Sequence, residues 1–283
     1  MSRDYIKSNL HTHSTFCDGK NTLEENVLSA IQKGIRVLGF SGHSMYPFWT
    51  ETYMQPEDFS SYCTEIRRLQ KKYASQIRIR LGFEADFIPG VTLPKMENYA
   101  EFKPDYLIGS IHFLFQREGL VAVDYKPEIL QLGAEKHYKN DMRALIGDYF
   151  ALQKEMLERG DFALLGHPDL IRKFNEKQPF FSEDEDWYKS CLKEMAKAVA
   201  RKGIATEINS GAISRGYLSE PYPSEYFLTL LYEAGVPVVI TADAHSAENL
   251  DFAFEQSLQL AKKIGYTEII YDIDTAGYKF CRI

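Results

Sequence analysis

Short apolar runs recur along the chain, and most of them follow a helix-like segment that ends in glycine. The phrases are QKGIRVLGFSGH, ERGDFALLGH, RKGIATEINS and EAGVPVVITADAH. A glycine tolerates the left-handed conformation at the end of a helix because it has no Cβ. The runs are continuous, without polar alternation, which indicates strands buried on both faces of a parallel sheet.

Three further runs, SNLHTH, IRIRLGFEAD and DYLIGSIHFL, predict about seven strands in all. Amphipathic segments lie between most of them. The first, TLEENVLSAIQKG, opens with Thr22 and Glu25 as a capping box, and SEDEDWYKSCLKEMAKAVARKG opens in the same way with Ser182 and Glu185. Further helices are expected at PEDFSSYCTEIRRLQKKYA, DMRALIGDYFALQKEMLERG, PSEYFLTLLYEAG and ENLDFAFEQSLQLAKKIG.

The alternation of strands and helices through residues 1–283 predicts one α/β domain. The pattern alone fits both a barrel and a doubly wound sheet. The C-terminal segment EIIYDIDTAGYKFCRI adds an apolar run whose place in the sheet the pattern leaves open.

The amino-acid composition limits the classes of partner that we expect for this chain. The net charge is −7, from 33 Lys and Arg against 40 Asp and Glu, which argues against non-specific binding of nucleic acid. The chain shows neither an apolar signal core near MSRDYIKSNLHTH nor a membrane-length apolar stretch, so we expect a cytoplasmic protein without a membrane partner. Four widely spaced cysteines favour neither a disulfide framework nor a thiolate zinc site. The composition leaves the oligomeric state open.

Six of the seven histidines lie at or just after the end of a predicted strand. In a β/α barrel, the C-terminal ends of the strands meet at one edge, where the loops assemble a site. Three acidic residues share these positions, in GFEADF, in TADAH and in HSTFCDG. The set of candidate metal ligands is His11, His13, Asp18, His43, Glu84, His112, His167, Asp243 and His245.

The spacing within this set has a physical consequence. Side chains at i and i+2 of an extended segment point the same way, so His11 and His13 can hold one ion, as can Asp243 and His245. Imidazole and carboxylate without thiolate suit Zn, Mn or Fe. Each residue alone has a common structural explanation, such as a helix cap for an acid at a strand–helix junction. Together they exceed the four ligands of one zinc site and favour two or three metals that share carboxylates.

The ordered motifs LHTHSTFCDG, GFSGHS, GFEADF, GSIHFL, GHPDL and TADAH resemble those of the polymerase and histidinol phosphatase (PHP) family of metal-dependent phosphoesterases. The resemblance spans nearly the whole chain. It implies a distorted (β/α)7 barrel with three divalent metal ions, Zn, Fe or Mn, at the C-terminal ends of the strands. The implied ligand sets are His11, His13, Glu84 and Asp243; Glu84, His112 and His167; and Asp18, His43 and His245.

One position departs from part of the family. Some members carry a histidine where this chain has Asp18, so the identity of the third metal stays open.

Within the family, the chain most resembles the stand-alone members that hydrolyse L-histidinol phosphate to L-histidinol and phosphate in histidine biosynthesis. Its length and the segments GSIHFL, VAVDY, GHPDLIRKF and EINSGAISRGY carry this likeness. The implied reaction is attack on a phosphate monoester by a hydroxide that the metals activate, with Asp243 or His245 protonating the leaving group. A PHP phosphoesterase for nucleotides or other small esters, a metal-dependent amidohydrolase and a non-catalytic metal-binding barrel remain alternatives.

Recognition of a phosphate ester requires cations near the metals, and a guanidinium fork suits a phosphate dianion. Arg215 follows the sixth strand, and Arg172 and Lys173 follow the fifth, so we expect these three residues to bind phosphate. The amine and imidazole of histidinol need an acid or an aromatic side chain. The candidates for that contact are Asp86, Asp124 and the loop that carries Tyr46 and Trp49.

Overall fold

The computed structural model describes residues 5–44, 52–116 and 119–283, so the expected contact loop with Tyr46 and Trp49 lies outside the described residues. All seven expected parallel strands are present, together with two antiparallel hairpins. The strands are β1 (Ser8–Asn9), β2 (Val37–Phe40), β3 (Arg78–Asp86), β4 (Tyr106–Ser110), β5 (Phe113–Gln116), β6 (Gly119–Ala122), β7 (Leu164–Leu165), β8 (Ala205–Asn209), β9 (Val238–Thr241), β10 (Glu268–Asp274) and β11 (Gly277–Arg282).

Helices cover the outside of the sheet and include every helix that the sequence predicts. They are α1 (Leu23–Gln32), α2 (Phe59–Lys72), α3 (Pro127–Tyr138), α4 (Met142–Arg159), α5 (Asp186–Lys202), α6 (Gly211–Ser214), α7 (Glu225–Glu233) and α8 (Phe254–Ile264). In the described parts of the chain, no helix has the length and apolar character needed to cross a membrane.

The main sheet runs in the order β1-β2-β3-β4-β7-β8-β9-β10-β11, with parallel pairing from β1 to β10. Among the described residues, the backbones of β1 and β9 pair only beyond the C-terminal ends of the strands, at an isolated bridge between Thr12 and Ala244. Below that bridge, Ile270 of β10 packs with Leu10 and Val239. The expected (β/α)7 barrel is therefore present, and its distortion lies at this seam.

Tyr106 shows how the interior of the barrel is filled. Its side chain is buried and packs in an inner cluster built mainly from strand residues. A Cβ added at Gly39 would lie 2.2 Å from the Tyr106 hydroxyl, and one at Gly82 would lie 2.6 Å from its ring. Two glycines on neighbouring strands thus make room for one large aromatic side chain.

The opposite edge of the barrel is tied together by a buried ion cluster. Asp272 of β10 has a fully buried side chain and accepts from Arg80 Nε at 2.7 Å, Arg78 Nη1 at 2.8 Å and Lys279 Nζ at 3.1 Å. These contacts fasten the C-terminal hairpin, whose place the sequence pattern left open, to β3.

Of the two predicted capping boxes, one is confirmed and one is wrong. Glu25 N–H donates to Thr22 Oγ1 at 3.2 Å, and Thr22 N–H donates to Glu25 at 2.8 Å. Helix α5 instead begins at Asp186, with Glu185 as its N-cap residue. Glu183 is held at 2.9 Å by the side chain of Arg172, so a tertiary ion pair keeps this segment out of the helix.

Candidate metal centre

The nine side chains predicted as ligands lie together at the C-terminal edge of the sheet. His11 and His13 follow β1, and Glu84 lies near the end of β3, where it forms an isolated bridge with His43. Because the strands are parallel, their ends bring these side chains to one side of the barrel. The other members of the cluster are Asp18, His112, His167, Asp243 and His245.

Glu84 is the centre of this cluster. Its Oε2 lies 3.2 Å from His11 Nε2 and 3.0 Å from His43 Nδ1. Its Oε1 lies 2.9 Å from His167 Nε2 and 3.4 Å from His112 Nε2. His13 Nε2 also lies 3.6 Å from Oε2. A single buried carboxylate thus faces five imidazoles with its two oxygens, an arrangement that suits a carboxylate bridging two metals.

Two more carboxylates complete the cluster on the other side of His13. Asp243 Oδ1 lies 3.3 Å from His13 Nε2, and Asp18 Oδ1 lies 3.5 Å from His13 Nδ1. Asp18 Oδ2 is 3.2 Å from His245 Nε2 and 3.8 Å from His43 Nε2. His43 therefore directs one ring nitrogen at each half of the cluster.

The donor atoms form three overlapping groups, and within each group all the atoms lie within 4.8 Å of one another. These groups resemble the sets that the family resemblance implies, with three differences. Glu84 is missing from the group of His11 and His13, His13 joins the group around Asp18, and His43 stands beside Glu84 where His167 is implied. The three groups are His11, His13 and Asp243; His43, Glu84 and His112; and His13, Asp18, His43 and His245.

Several of these donors are buried, and within the described residues they make no hydrogen bond. They include Nε2 of His11 and of His13, Nδ1 of His43 and Oε2 of Glu84. Buried polar atoms are normally paired, so a set of unpaired atoms that face one another is explained by an ion. The donor set, imidazole and carboxylate, fits Zn, Fe or Mn.

The electrostatics of the cluster keep Glu84 ionised and His13 neutral. Burial and the neighbouring His245 and His43 lower the pKa of His13 to about 3. Burial alone would raise the pKa of Glu84, but His11, His43 and His112 hold it well below its usual range. Burial lowers the pKa of His11, His43 and His112, but the neighbouring carboxylates raise it above the usual value, so a metal ion bound here would displace protons from these rings.

A pocket of about 230 Å³ opens above this cluster. Arg215 and Lys173 place two cations in its wall, and Asp124 adds a carboxylate. The remaining wall is largely aromatic or apolar and is formed by Thr52, Tyr53, Phe113, Tyr125 and Leu170.

The two cations are each held by an acid. Arg215 Nη2 donates to Asp243 Oδ2 at 3.1 Å, and Arg215 Nη1 donates to the Asp243 carbonyl at 3.2 Å. Lys173 Nζ donates to the Asp124 carbonyl at 2.6 Å and lies 3.1 Å from its carboxylate. Burial lowers the pKa of Lys173, and Asp124 opposes that effect.

The sequence model of the PHP domain matches residues 9–211, more than half of the chain. The chain belongs to the PHP family. The family expected from the six motifs is thereby confirmed.

Relatives of this PHP protein match over most of its length. The Schizosaccharomyces pombe protein named "Probable histidinol-phosphatase" is 30% identical over 276 residues, which cover 92% of this chain and 87% of that protein. The crystal structure of hisK from Listeria monocytogenes gives a TM-score of 0.77 at 22% identity, covering 88% of this chain and 99% of the other.

A second solved structure is histidinol phosphate phosphatase from Lactococcus lactis, complexed with zinc, L-histidinol and phosphate. It gives a TM-score of 0.72 at 19% identity and covers 96% of this chain and 98% of the other. At these identities, both structures establish that the PHP chain described here shares their fold.

Not every predicted contact residue of the PHP chain reaches the pocket. Arg172 is absent from the described residues that line it. Its side chain is 6% exposed, and its guanidinium binds Glu183 and Glu220. Arg172 ends a short 3₁₀ helix at Leu170–Arg172, and the next residue, Lys173, turns the other way into the pocket.

Two carboxylates behind the PHP ligands were not recognised in this role from the sequence. Asp86, expected near the substrate amine, instead lies 2.7 Å from His112 Nδ1 and accepts from the Tyr53 hydroxyl. Glu207 is buried on β8, 2.9 Å from His11 Nδ1. Its signal was a glutamate inside the apolar run ATEIN, since a buried strand tolerates a charge only when it is paired.

Proposed function

We propose that this PHP protein hydrolyses L-histidinol phosphate to L-histidinol and phosphate. The observation that carries the proposal is the cluster around Glu84, which lies at the floor of a small pocket with Arg215 and Lys173 in its wall. The names of its relatives support the substrate, as does the Lactococcus lactis structure complexed with zinc, L-histidinol and phosphate.

The proposed cofactors are three divalent metal ions, Zn, Fe or Mn. When bound, such ions lower the pKa of water and neutralise phosphoryl oxygens. Glu84 would hold two of them, since its two oxygens face different imidazoles: His11, His13 and His43 at Oε2, and His112 and His167 at Oε1. Asp243 would complete the set with His11 and His13, and the cluster around Asp18 would hold the third ion.

Arg215 and Lys173 bind the phosphate in this proposal. A guanidinium offers two parallel N–H groups to two phosphoryl oxygens, and the buried Nε–H of Arg215 donates to no described residue. Lys173 faces the same space as a point charge. Their present acidic partners, Asp243 and Asp124, keep both cations in place before the substrate arrives.

The leaving group is an alkoxide, so a proton donor is needed. Asp243 and His245 are the proposed candidates, and both line the pocket. His245 is the more accessible, with a side chain that is 24% exposed against 6% for Asp243. We therefore favour His245 in this role.

The pocket wall also supports a phosphate ester that carries a cationic amine. Asp124 presents a carboxylate there, and Tyr125 and Phe113 present aromatic rings. An acid suits the ammonium group of histidinol, and an aromatic face suits its imidazole. Of these two features, the carboxylate disfavours an anionic nucleotide, which has no ammonium group to pair with it.

The test is phosphate release from L-histidinol phosphate, with AMP and phosphotyrosine as parallel substrates and with bound metals quantified. We expect strong preference for histidinol phosphate and loss of activity in His11→Ala. Turnover of AMP or phosphotyrosine alone would retain the phosphoesterase chemistry and refute this substrate. Amide hydrolysis without release of phosphate from any ester would favour the amidohydrolase alternative.

A further inference from the structure

Glu207 is fully buried in the middle of β8 and accepts four hydrogen bonds from described residues. Its Oε2 accepts from Thr241 Oγ1 at 2.7 Å and lies 2.9 Å from His11 Nδ1. Its Oε1 accepts from the backbone N–H of His167 at 2.7 Å and from Asn209 Nδ2 at 2.8 Å. Both oxygens therefore have two partners each.

The chemistry of this network fixes a proton. An ionised carboxylate only accepts hydrogen bonds, so the ring nitrogen of His11 that faces Glu207 has to carry hydrogen. In neutral imidazole the lone pair then lies on the other nitrogen, Nε2. That atom is 3.2 Å from Glu84 Oε2 and, among the described residues, makes no hydrogen bond.

The network also spans the weakest part of the sheet. His11 follows β1, Thr241 ends β9, and His167 follows β7, so one carboxylate on β8 connects the ends of three other strands. Between β1 and β9, the described ladder consists of the bridge at Thr12 and Ala244 alone. The backbone of His11 is also held to the β9 side through Asn9 Oδ1, which accepts from the N–H groups of His11 and Ala242. Glu207 adds the contact that holds the His11 ring itself.

We infer that Glu207 is a positioning residue of the metal centre, which fixes His11 in the Nδ1-protonated tautomer and presents Nε2 to a metal ion. It acts through His11 and touches neither substrate nor metal. The inference rests on the proposed metal centre and is independent of which phosphate ester is hydrolysed.

His43 shows why this support is specific. Its Nδ1 faces Glu84 at 3.0 Å and its Nε2 faces Asp18 at 3.8 Å, so both of its nitrogens look into the cluster. His11 differs, because its Nδ1 faces Glu207 and its Nε2 faces the cluster. Glu207 therefore determines which of the two nitrogens carries the hydrogen. Carboxylates in this position raise metal affinity by orienting the ring and fixing its tautomer.

The test is Glu207→Gln in the full-length protein. An amide has one oxygen and one NH2 group, so it satisfies the N–H groups of His167 and Asn209 only by turning the NH2 towards His11. His11 then accepts at Nδ1 and carries its proton on Nε2, where it blocks a metal. We expect binding of Zn²⁺ or Mn²⁺ to the metal-free protein to weaken about 10- to 100-fold, measured against a competing chelator.

Asp272→Asn is the matched control, because Asp272 is an equally buried carboxylate in the same barrel whose partners are Arg78, Arg80 and Lys279. It should lower the melting temperature and leave metal affinity unchanged. Equal metal affinity in Glu207→Gln and in the unchanged protein would overturn the inference.

A second measurement needs no variant and holds even if Glu207→Gln fails to fold. The ¹⁵N chemical shifts of His11 in the Zn²⁺-loaded protein report its tautomer directly. We expect hydrogen on Nδ1 and none on Nε2, and an Nδ1 without hydrogen would overturn the inference. If the unchanged protein binds no metal at all, both the proposed metal centre and the role of Glu207 are refuted. If it binds metal but Nδ1 of His11 carries no hydrogen, only the role of Glu207 is refuted.

Discussion

The Arg215 guanidinium and the Asp243 carboxylate form an ion pair, with Nη2 3.1 Å from Oδ2, at the boundary between the pocket wall and the donor cluster. The other oxygen of Asp243 faces His13 Nε2 at 3.3 Å. Asp243 adopts the left-handed backbone conformation, with φ of 48°. Aspartate tolerates this conformation better than most residues, and here it turns the carboxylate between a cation and an imidazole.

This arrangement predicts the effect of changing Arg215. In Arg215→Lys the charge stays and the bidentate fork is lost, so we expect kcat/KM for the phosphate ester to fall about 10- to 100-fold, as for loss of a charged hydrogen bond of about 1.5–3 kcal/mol. Inhibition by inorganic phosphate should weaken in parallel. Arg201→Lys, at an exposed arginine of α5, is the control and should match the unchanged enzyme. Equal phosphate inhibition in both variants would remove Arg215 from the phosphate site.

Arg172 and Lys173 are neighbours with different expected roles. Arg172→Ala removes the cation from a buried cluster, and we expect it to lower the free energy of unfolding by about 3 kcal/mol. This lies at the low end for a broken buried pair, because Glu183 and Glu220 are about one-third exposed and regain water. Urea unfolding measures the loss.

Lys173→Ala should show the opposite pattern, with a raised KM and a smaller change in stability. A KM effect confined to Arg172→Ala would instead assign phosphate binding to Arg172.

Arg172 and Lys173 show which features of the site can be predicted from the sequence and which cannot. The strand ends and the i, i+2 spacing of His11 and His13 are local properties, so the chain pattern predicts the cluster. Which way Arg172 or Lys173 points depends on a 3₁₀ turn and on acids distant in the chain, which no local pattern encodes.

The same reason explains the late start of α5 and the missed role of Glu207. Ser182 and Glu185 have the spacing of a capping box, but Glu183 between them is bound by Arg172. Glu207 of β8 acquires its partners only in the folded barrel, where the ends of β7 and β9 lie beside β8 and the segment after β1 brings His11 to it. Contacts between residues distant in the chain determine both the start of α5 and the role of Glu207. The only local signal was a glutamate inside a predicted buried strand.

The proton-donor role of His245 predicts a dependence on the leaving group. His245→Gln should slow hydrolysis of an alkyl phosphate much more than hydrolysis of p-nitrophenyl phosphate, whose leaving group needs no proton. A role confined to metal binding would slow both substrates equally. The ratio of the two kcat/KM values, with metal content matched between proteins, distinguishes these outcomes.

The ion cluster at the other edge of the barrel predicts a pH dependence of stability. Burial would raise the pKa of Asp272, but Arg80 and Lys279 hold it below its usual value. A lowered folded-state pKa gives stability that is present above the unfolded value of about 3.9 and is lost as the pH falls through the folded value.

We therefore expect Asp272→Asn to be less stable than the unchanged protein at pH 7, with the difference shrinking below about pH 4. Urea unfolding of the two metal-free proteins from pH 7 to pH 3 measures this difference without contributions from bound metal. A gap that widens at low pH would show that Asp272 is not the group responsible.

The packing around Tyr106 allows a test that separates two contacts of one side chain. A Cβ at Gly39 would meet the Tyr106 hydroxyl at 2.2 Å, whereas a Cβ at Gly82 would meet carbon atoms of its ring at 2.6 Å. Each Gly→Ala change should destabilise the protein by about 1–3 kcal/mol or more, because overpacking forces side chains off their preferred rotamers.

Tyr106→Phe removes the hydroxyl and leaves the ring. The Gly39→Ala cost should therefore fall in the Tyr106→Phe background, while the Gly82→Ala cost should persist. Double-mutant cycles from urea unfolding measure both coupling energies, and equal coupling at the two glycines would contradict this account of the barrel interior.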